Sequence, residues 1–350
     1  MFSVGIDVHQ KRSSVCILDQ QGKKVKEFEV VGSWDNLIEA VAKLPRPMAV
    51  CFEASTGCGW LCDKLAPLAA RVEVAHPGQL RLIYRSKKKN DRIDAKKLAT
   101  LLFLGEVPRA YIPDAAVRGW RGLVEFRCRT VQKRTRTKNA LRTLLRGCGI
   151  LGLHPRKGLW AQKGVALLRE LELPTGQDRL RRDLLMEELD QLNRQVKRIE
   201  AELDRLADDH AGVALLRTIP GVGPRTAEAV LAYVDKPERF DRNKQIGAYF
   251  GLVPCQDASA DKNRLGHITR QGPATVRGLL VEAAWQAVYR SGTLKAYYER
   301  IRQGKKERRK IALVATAHHL VRVMLSMLKS GEVWREEAAG ATPQAAETAA

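Results

Sequence analysis

Cysteine is sparse and unpatterned: seven are scattered over 350 residues with no CxxC pair and no zinc-type histidine spacing, so they read as reduced, mostly buried thiols. The chain does not read as a membrane protein. The most apolar stretch, IALVATAHHLVRVMLSML, is interrupted by His318, His319 and Arg322, and no secretory leader precedes the first strand-like segment. A cytoplasmic or nucleoid-associated protein without a membrane partner is the expectation. Internal repeats are absent. So are the glycine-rich phosphate loops that an actin-like or sugar-kinase ATPase needs after an opening strand of the form GID. Acid is the scarcer charge: 39 Asp and Glu against 61 Lys and Arg leave a formal +22, a surface that attracts polyanions such as nucleic acid.

What is present is alternation. FSVGIDVH, SSVCILD and KVKEFEV read as short strands joined by tight polar turns; WDNLIEAVAKL has helical spacing, MAVCFEAS reads as a strand, GWLCDKLAPLA as a helix and RVEVAH as a strand. Tight turns favour antiparallel pairing of the first three strands, and helical connections favour parallel crossovers for the rest. This predicts a mixed α/β sheet covered by helices over residues 1–110. From about residue 115 the chain turns helical and basic, with ten Lys and Arg from Arg118 to Arg146 accompanied only by Glu125. After the break GCGILGLHPRKG, Leu185, Leu189, Leu192, Val196, Ile199, Leu203 and Leu206 recur in alternating steps of four and three. That is a heptad seam, so residues 111–210 are expected to form a helical hairpin or a coiled-coil dimerisation stalk. LLRTIPGVGPRTAEAVLAYV then sets a Gly221-Val222-Gly223-Pro224 turn between apolar helices. A helix-hairpin-helix that meets phosphate has this form, and so does an ordinary helix–helix turn. It opens a mostly α C-terminal domain over 211–334, in which PCQDASADKNRLGHITRQGPATVR is polar and loop-like. The segment 335–350 is a low-complexity tail expected to be disordered.

Four acids stand out against this background. Asp7 lies in a strand between Ile6 and Val8, which point to the opposite face, and Glu53 ends the fourth strand. Asp91 and Asp94 share a helical face inside the cationic run KKKNDRIDAKKLA, with Asn90 as a fair N-cap. Each acid alone suits a solvated surface or a helix N-terminus. If the first and fourth strands are neighbours, all four meet at one end of the sheet. Oxygen-only ligation of that kind suits Mg2+ or Mn2+, and such ions flank in-line phosphoryl displacement. The lysines would then hold the polyanion.

In this order VGIDVHQK, FEASTG and KNDRIDAKKLA resemble the RuvC-like, RNase H-fold domain of the DEDD transposases that mobilise the IS110 and IS1111 insertion sequences, a superfamily that includes Piv-type DNA invertases. The basic helix, the heptads, IPGVGPRTA, AYFGLVP and KIALVATAHHLVRVMLSMLKSG extend the likeness over about residues 3–334. The resemblance implies a DNA transposase or site-specific recombinase whose metal-binding acids fall on Asp7, Glu53, Asp91 and Asp94. It also implies a nucleophilic serine after the GLxP turn, which falls on Ser259, and a covalent phosphoserine intermediate. Here ASAD replaces the family's more serine-rich, glycine-containing run, and Thr269 is the competing hydroxyl. The partners implied are donor and target DNA, a structured noncoding guide RNA, and further copies of the chain as a dimer or tetramer. A metal-dependent structure-specific nuclease of the Holliday-junction resolvase type would need the acids but not Ser259. An architectural DNA binder would need neither.

Overall fold

The polar turns of the first thirty residues pair the strands as expected. β1 (Phe2–Asp7), β2 (Arg12–Leu18) and β3 (Lys24–Val31) form an antiparallel meander, with Asp19 closing the second turn by accepting the amides of Gln21 and Lys23 at 2.8 and 2.9 Å. α1 (Trp34–Ala42) leads to β4 (Met48–Glu53), which pairs parallel with β1. α2 (Cys58–Leu65) leads to β5 (Arg71–Ala75), parallel to β4, so the sheet order is β3-β2-β1-β4-β5. α3 (Pro77–Ile83) and α4 (Asp91–Leu104) follow. The computed structural model describes residues 1–83, 90–150, 158–208, 210–259 and 262–336, and only the backbone of Arg81, 257–259, 262 and 263. Lys87, Lys88, Lys89 and residues 337–350 of the tail lie outside the described residues. The chain divides into two compact units, Met1–Arg118 and Gly119–Ala350.

In the first unit, strand alternation sorts the side chains onto two covered faces. Val4, Ile6, Val15, Ile17, Val50 and Phe52 pack with Leu37 and Val41 of α1 and with Leu61 and Leu65 of α2. On the other face, Cys16 and Leu18 meet Ala95 and Ala99 of α4, and Ala49 and Cys51 meet Leu98, Leu101 and Leu102. Gly5 and Asp7 belong to this second face.

The second unit is mostly helical. Its elements are α5 (Ala115–Gly147, which starts in the first unit), α6 (Gln162–Glu170), α7 (Gly176–Asp208), α8 (Ala211–Arg217), α9 (Pro224–Val234), α10 (Gln245–Tyr249), the hairpin β6 (Pro254–Ser259) and β7 (Lys262–Ile268), α11 (Ala274–Arg290), α12 (Gly292–Arg302) and α13 (Arg309–Ser330). Leu189, Leu192, Val196, Ile199 and Leu203 of the heptad seam are buried. Part of their cover comes from α5 in the same chain. Met186 and Leu189 share a core with Leu141, Leu144 and Leu145, Ile199 and Leu203 share one with Val124, and Arg127 Nε donates to Glu200 at 2.8 Å, so the two helices run antiparallel. α13 is long and apolar enough by length and composition to cross a membrane, yet Leu320, Val321, Met324 and Leu325 are fully buried in the core of this unit.

Glu228 on α9 is fully buried, with Arg225 at 3.2 Å, and burial pushes its carboxyl up to about 7 against 4.5 in the open chain, an effect that Arg225 only partly offsets. A raised folded-state pKa gives stability that is complete below about 4.5 and is lost as pH rises through about 7. Glu228→Gln should therefore match the parent at pH 4 and stabilise this unit at pH 8 by on the order of 3 kcal/mol. Denaturant unfolding at the two pH values checks this, and equal effects at both would refute it.

Candidate metal centre

The acids converge because three elements end at one place. Asp7 is the last residue of β1, and the parallel register pairs Ile6 with Phe52, so Asp7 and Glu53 stand side by side at the ends of neighbouring strands. α4 starts above them. Asn90 caps it by accepting the Arg92 amide at 3.1 Å, which puts Asp91 and Asp94 in its first turn. Gly5 permits this approach. A Cβ there would lie 2.1 Å from the Ala95 carbonyl oxygen and 2.3 Å from the Ala99 nitrogen, so the absent side chain is what lets α4 lie on β1.

Within this cluster His9 Nε2 is 3.4 Å from Asp7 Oδ2 and 3.8 Å from Asp91 Oδ2, and one ligand atom from each of the three residues lies within 4.8 Å of the others. Lys97 Nζ meets Asp94 Oδ1 at 2.8 Å. The Asp7 carboxyl, with a side chain only 16% exposed, is pushed above the usual carboxylate range, first by burial. His9 opposes the rise, while Asp91, Asp94 and Glu53 add to it. All four acids therefore share one electrostatic neighbourhood. Such a crowd of hard oxygen donors is short of positive charge and suits a divalent cation.

His9 is the residue that reasoning from sequence passed over. Its signal is the D-x-H spacing of GIDVHQK, which sets an imidazole just beyond the strand end that carries Asp7. Its backbone is pinned: Trp34 Nε1 donates to the His9 carbonyl at 3.1 Å, and Trp34 stacks on Trp60. Gly57, at φ 84°, keeps clear of the Trp34 ring, where a Cβ would approach to 2.6 Å. The glycine of FEASTG thus serves the loop that holds His9. The cations of KKKNDRIDAKKLA divide in role. Arg92 pairs with Glu29 at 3.2 Å and Lys97 pairs with Asp94, so these two are partners of protein carboxylates.

Ser259 belongs to the second unit. Where the sequence is polar and loop-like the chain forms a hairpin in which Ser259 opposes Lys262 across the turn; Pro254, Cys255, Gln256 and Leu265 are all exposed, so no apolar alternation marks its strands. The Ser259 side chain and Asp261 lie outside the described residues. The Thr269 hydroxyl is enclosed, with no hydrogen-bond partner among the described residues. At the GVGP turn, Gly221 has φ 91° and packs on the α11 backbone, where a Cβ would lie 2.5 Å from the Ala287 nitrogen. Gly223 starts α9 with no side-chain cap.

Residues 4–150 match the family model of IS110-type DEDD transposases, and residues 213–299 match the model described as the IS116/IS110/IS902 family of transposases. The transposase for insertion sequence element IS1328 of Yersinia enterocolitica is 26% identical over 339 residues, covering 95% of this chain and 98% of the relative. The transposase for insertion sequence element IS1111A of Coxiella burnetii is 26% identical over 281 residues, covering 80% of this chain and 76% of the relative.

Proposed function

Because this chain belongs to the DEDD transposases of the IS110 family, we propose that it breaks and rejoins DNA at the Asp7, Glu53, Asp91 and Asp94 cluster of an RNase H-like (RuvC-like) domain, with Ser259 as the nucleophile. The observation that carries this reading is the grouping of Asp7 and Asp91 with His9, one ligand atom of each within 4.8 Å, with Glu53 at the end of neighbouring β4, Asp94 in the same first turn of α4, and the Asp7 carboxyl pushed up by burial and by the other three acids. The order β3-β2-β1-β4-β5, antiparallel on one side and parallel on the other, supports the RNase H-like assignment. The four carboxylates would hold Mg2+ or Mn2+, and a bound divalent ion supplies Lewis-acid stabilisation of charge on a phosphodiester. Ser259 Oγ attacks phosphorus, the hydroxyl proton passes to a base, and one bridging P–O bond breaks to release a DNA hydroxyl end. The phosphoserine keeps the bond energy for rejoining, which a hydrolytic nuclease discards.

DNA and a structured noncoding guide RNA are the partners of this reading. Lys133, Arg134, Arg136, Lys138 and Arg142 on α5 form no ion pair among the described residues, and Lys138 and Arg142 lie 5.0 and 5.2 Å from the Trp160 ring. Burial and then the neighbouring Arg134 and Arg142 lower the Lys138 ammonium, a crowding that a phosphate backbone relieves. A dimer or tetramer is also proposed. The heptad seam is covered within the chain, but Leu180 and Leu184 on α7 remain 60% and 55% exposed, one helical turn apart, as an edge for a second copy. The working place is the bacterial cytoplasm, at the nucleoid.

The test uses end-labelled donor and target DNA with the RNA encoded beside the element, followed by denaturation and inspection of the protein for label. The parent should retain label and Ser259→Ala should not. Label kept by Ser259→Ala would move the nucleophile elsewhere, and cut DNA with no labelled protein would favour a resolvase-type nuclease.

A further inference from the structure

Ser14 lies on β2 directly across from Asp7 in the antiparallel register. Its neighbours Val15 and Ile17 alternate into the core under α1 and α2, so Ser14 and Asp7 both turn to the face covered by α4. A directly opposed pair on one face has its Cβ atoms about 4.5–5.5 Å apart. Ser14 is 1% exposed, and its hydroxyl is enclosed with no hydrogen-bond partner among the described residues. Such a group is unfavourable where it stands. The next residues on its strand and face, Cys16 and Leu18, are apolar and packed on Ala95 and Ala99, so sheet packing alone asks for no hydroxyl here. Two polar side chains stand in register with it, Asp7 on β1 and Glu29 on β3. Glu29 is taken up by Arg12 at 3.3 Å and Arg92 at 3.2 Å, so Asp7 is the carboxylate that a Ser14 donor would serve.

We propose that Ser14 is a positioning residue of the metal centre, whose hydroxyl donates to the Asp7 carboxylate and fixes its orientation when a divalent cation is held. This rests on the reading of the four acids as metal ligands. A carboxylate that ligates through one oxygen needs a donor on the other, and partners of this kind set ligand orientation without touching the ion. The small volume of serine matters as well, because Ser14 is 1% exposed and a longer polar side chain would have no open space to enter.

The experiment measures Mn2+ binding to the full-length protein, without nucleic acid, from the loss of the free-ion electron paramagnetic resonance signal, together with thermal unfolding in metal-free buffer. Ser14→Ala should bind Mn2+ roughly tenfold more weakly, the lower end of what such partners contribute. It should unfold at the same or a higher temperature without metal, since it removes an unsatisfied hydroxyl. Ser14→Cys, close in size and a weak donor, should bind between the two. Mn2+ affinity within about twofold of the parent in a Ser14→Ala protein of unchanged unfolding temperature overturns the proposal. If Ser14→Ala is destabilised, parent-like affinity in Ser14→Cys overturns it instead. Asp7→Asn separates the two readings: if it binds Mn2+ as the parent does, the metal centre itself is wrongly placed. If only Ser14→Ala binds normally while Asp7→Asn does not, the fault lies with Ser14 alone.

Discussion

Asp94→Asn should abolish strand breakage, lowering the rate by on the order of 10³-fold, while the protein stays folded and retains DNA. The substitution keeps volume and removes one charge from a donor set whose value lies in its charge; several kcal/mol of transition-state stabilisation corresponds to about that factor. Asp7→Asn should be as damaging to cleavage, but the two differ in their effect on stability. The Asp7 carboxyl is pushed up by burial and by three acids, so its ionised form opposes folding, and stability is lost as pH rises through its raised folded-state range. Asp7→Asn should therefore melt higher than the parent at neutral pH without metal. Asp94 has Lys97 at 2.8 Å, and losing that pair should lower stability by less than about 1 kcal/mol. A gel assay of strand cleavage and metal-free thermal melts read both effects. Parent-like cleavage by either variant would sink the metal-centre assignment, and a lower melt for Asp7→Asn would show that its charge is welcome where it stands.

Much of this site was legible because strands have a period of two. Once Ile6 points into one core, Asp7 must face the other way, and the tight turns and helical crossovers then make β4 a neighbour of β1. The pattern of three antiparallel strands followed by parallel ones could be read from connection lengths alone. Long-range packing was harder to read. The heptads of α7 promised a partner helix without saying which, and α5 conceals its apolar row of Val124, Leu141, Leu144 and Leu145 among ten cations. The β6–β7 hairpin, exposed at its described positions except the half-buried Ile268, carries no alternation to find. His9 was missed for a different reason. A histidine beyond a strand end has no periodicity, and the D-x-H spacing gains meaning only once His9 is seen beside both Asp7 and Asp91.

Gly5→Val should dismantle the centre without touching any of its ligands. The added side chain meets backbone, the Ala95 carbonyl oxygen at 2.1 Å and the Ala99 nitrogen at 2.3 Å from the Cβ alone, so no rotamer change can relieve it. Overpacking against movable side chains commonly costs about 1–3 kcal/mol, and the cost here should reach or pass the upper end because α4 must move as a body. Ala95 and Ala99 are themselves fully buried against Cys16 and Leu18, so a helix lifted from β1 also opens that contact. Asp91 and Asp94 ride on the first turn of α4 and would leave Asp7 with it. The expected result is loss of Mn2+ binding and of strand cleavage together, with faster amide exchange across Leu98–Leu102 and a sheet whose other face, built on α1 and α2, remains folded. Gly119→Ala is the control: that glycine lies within α5 with nothing inside 4 Å of an added Cβ, and alanine there should stabilise the helix by up to about 1 kcal/mol. If Gly5→Val binds Mn2+ and cleaves like the parent, α4 does not need to lie on β1 for the acids to meet, and the role given to that glycine fails.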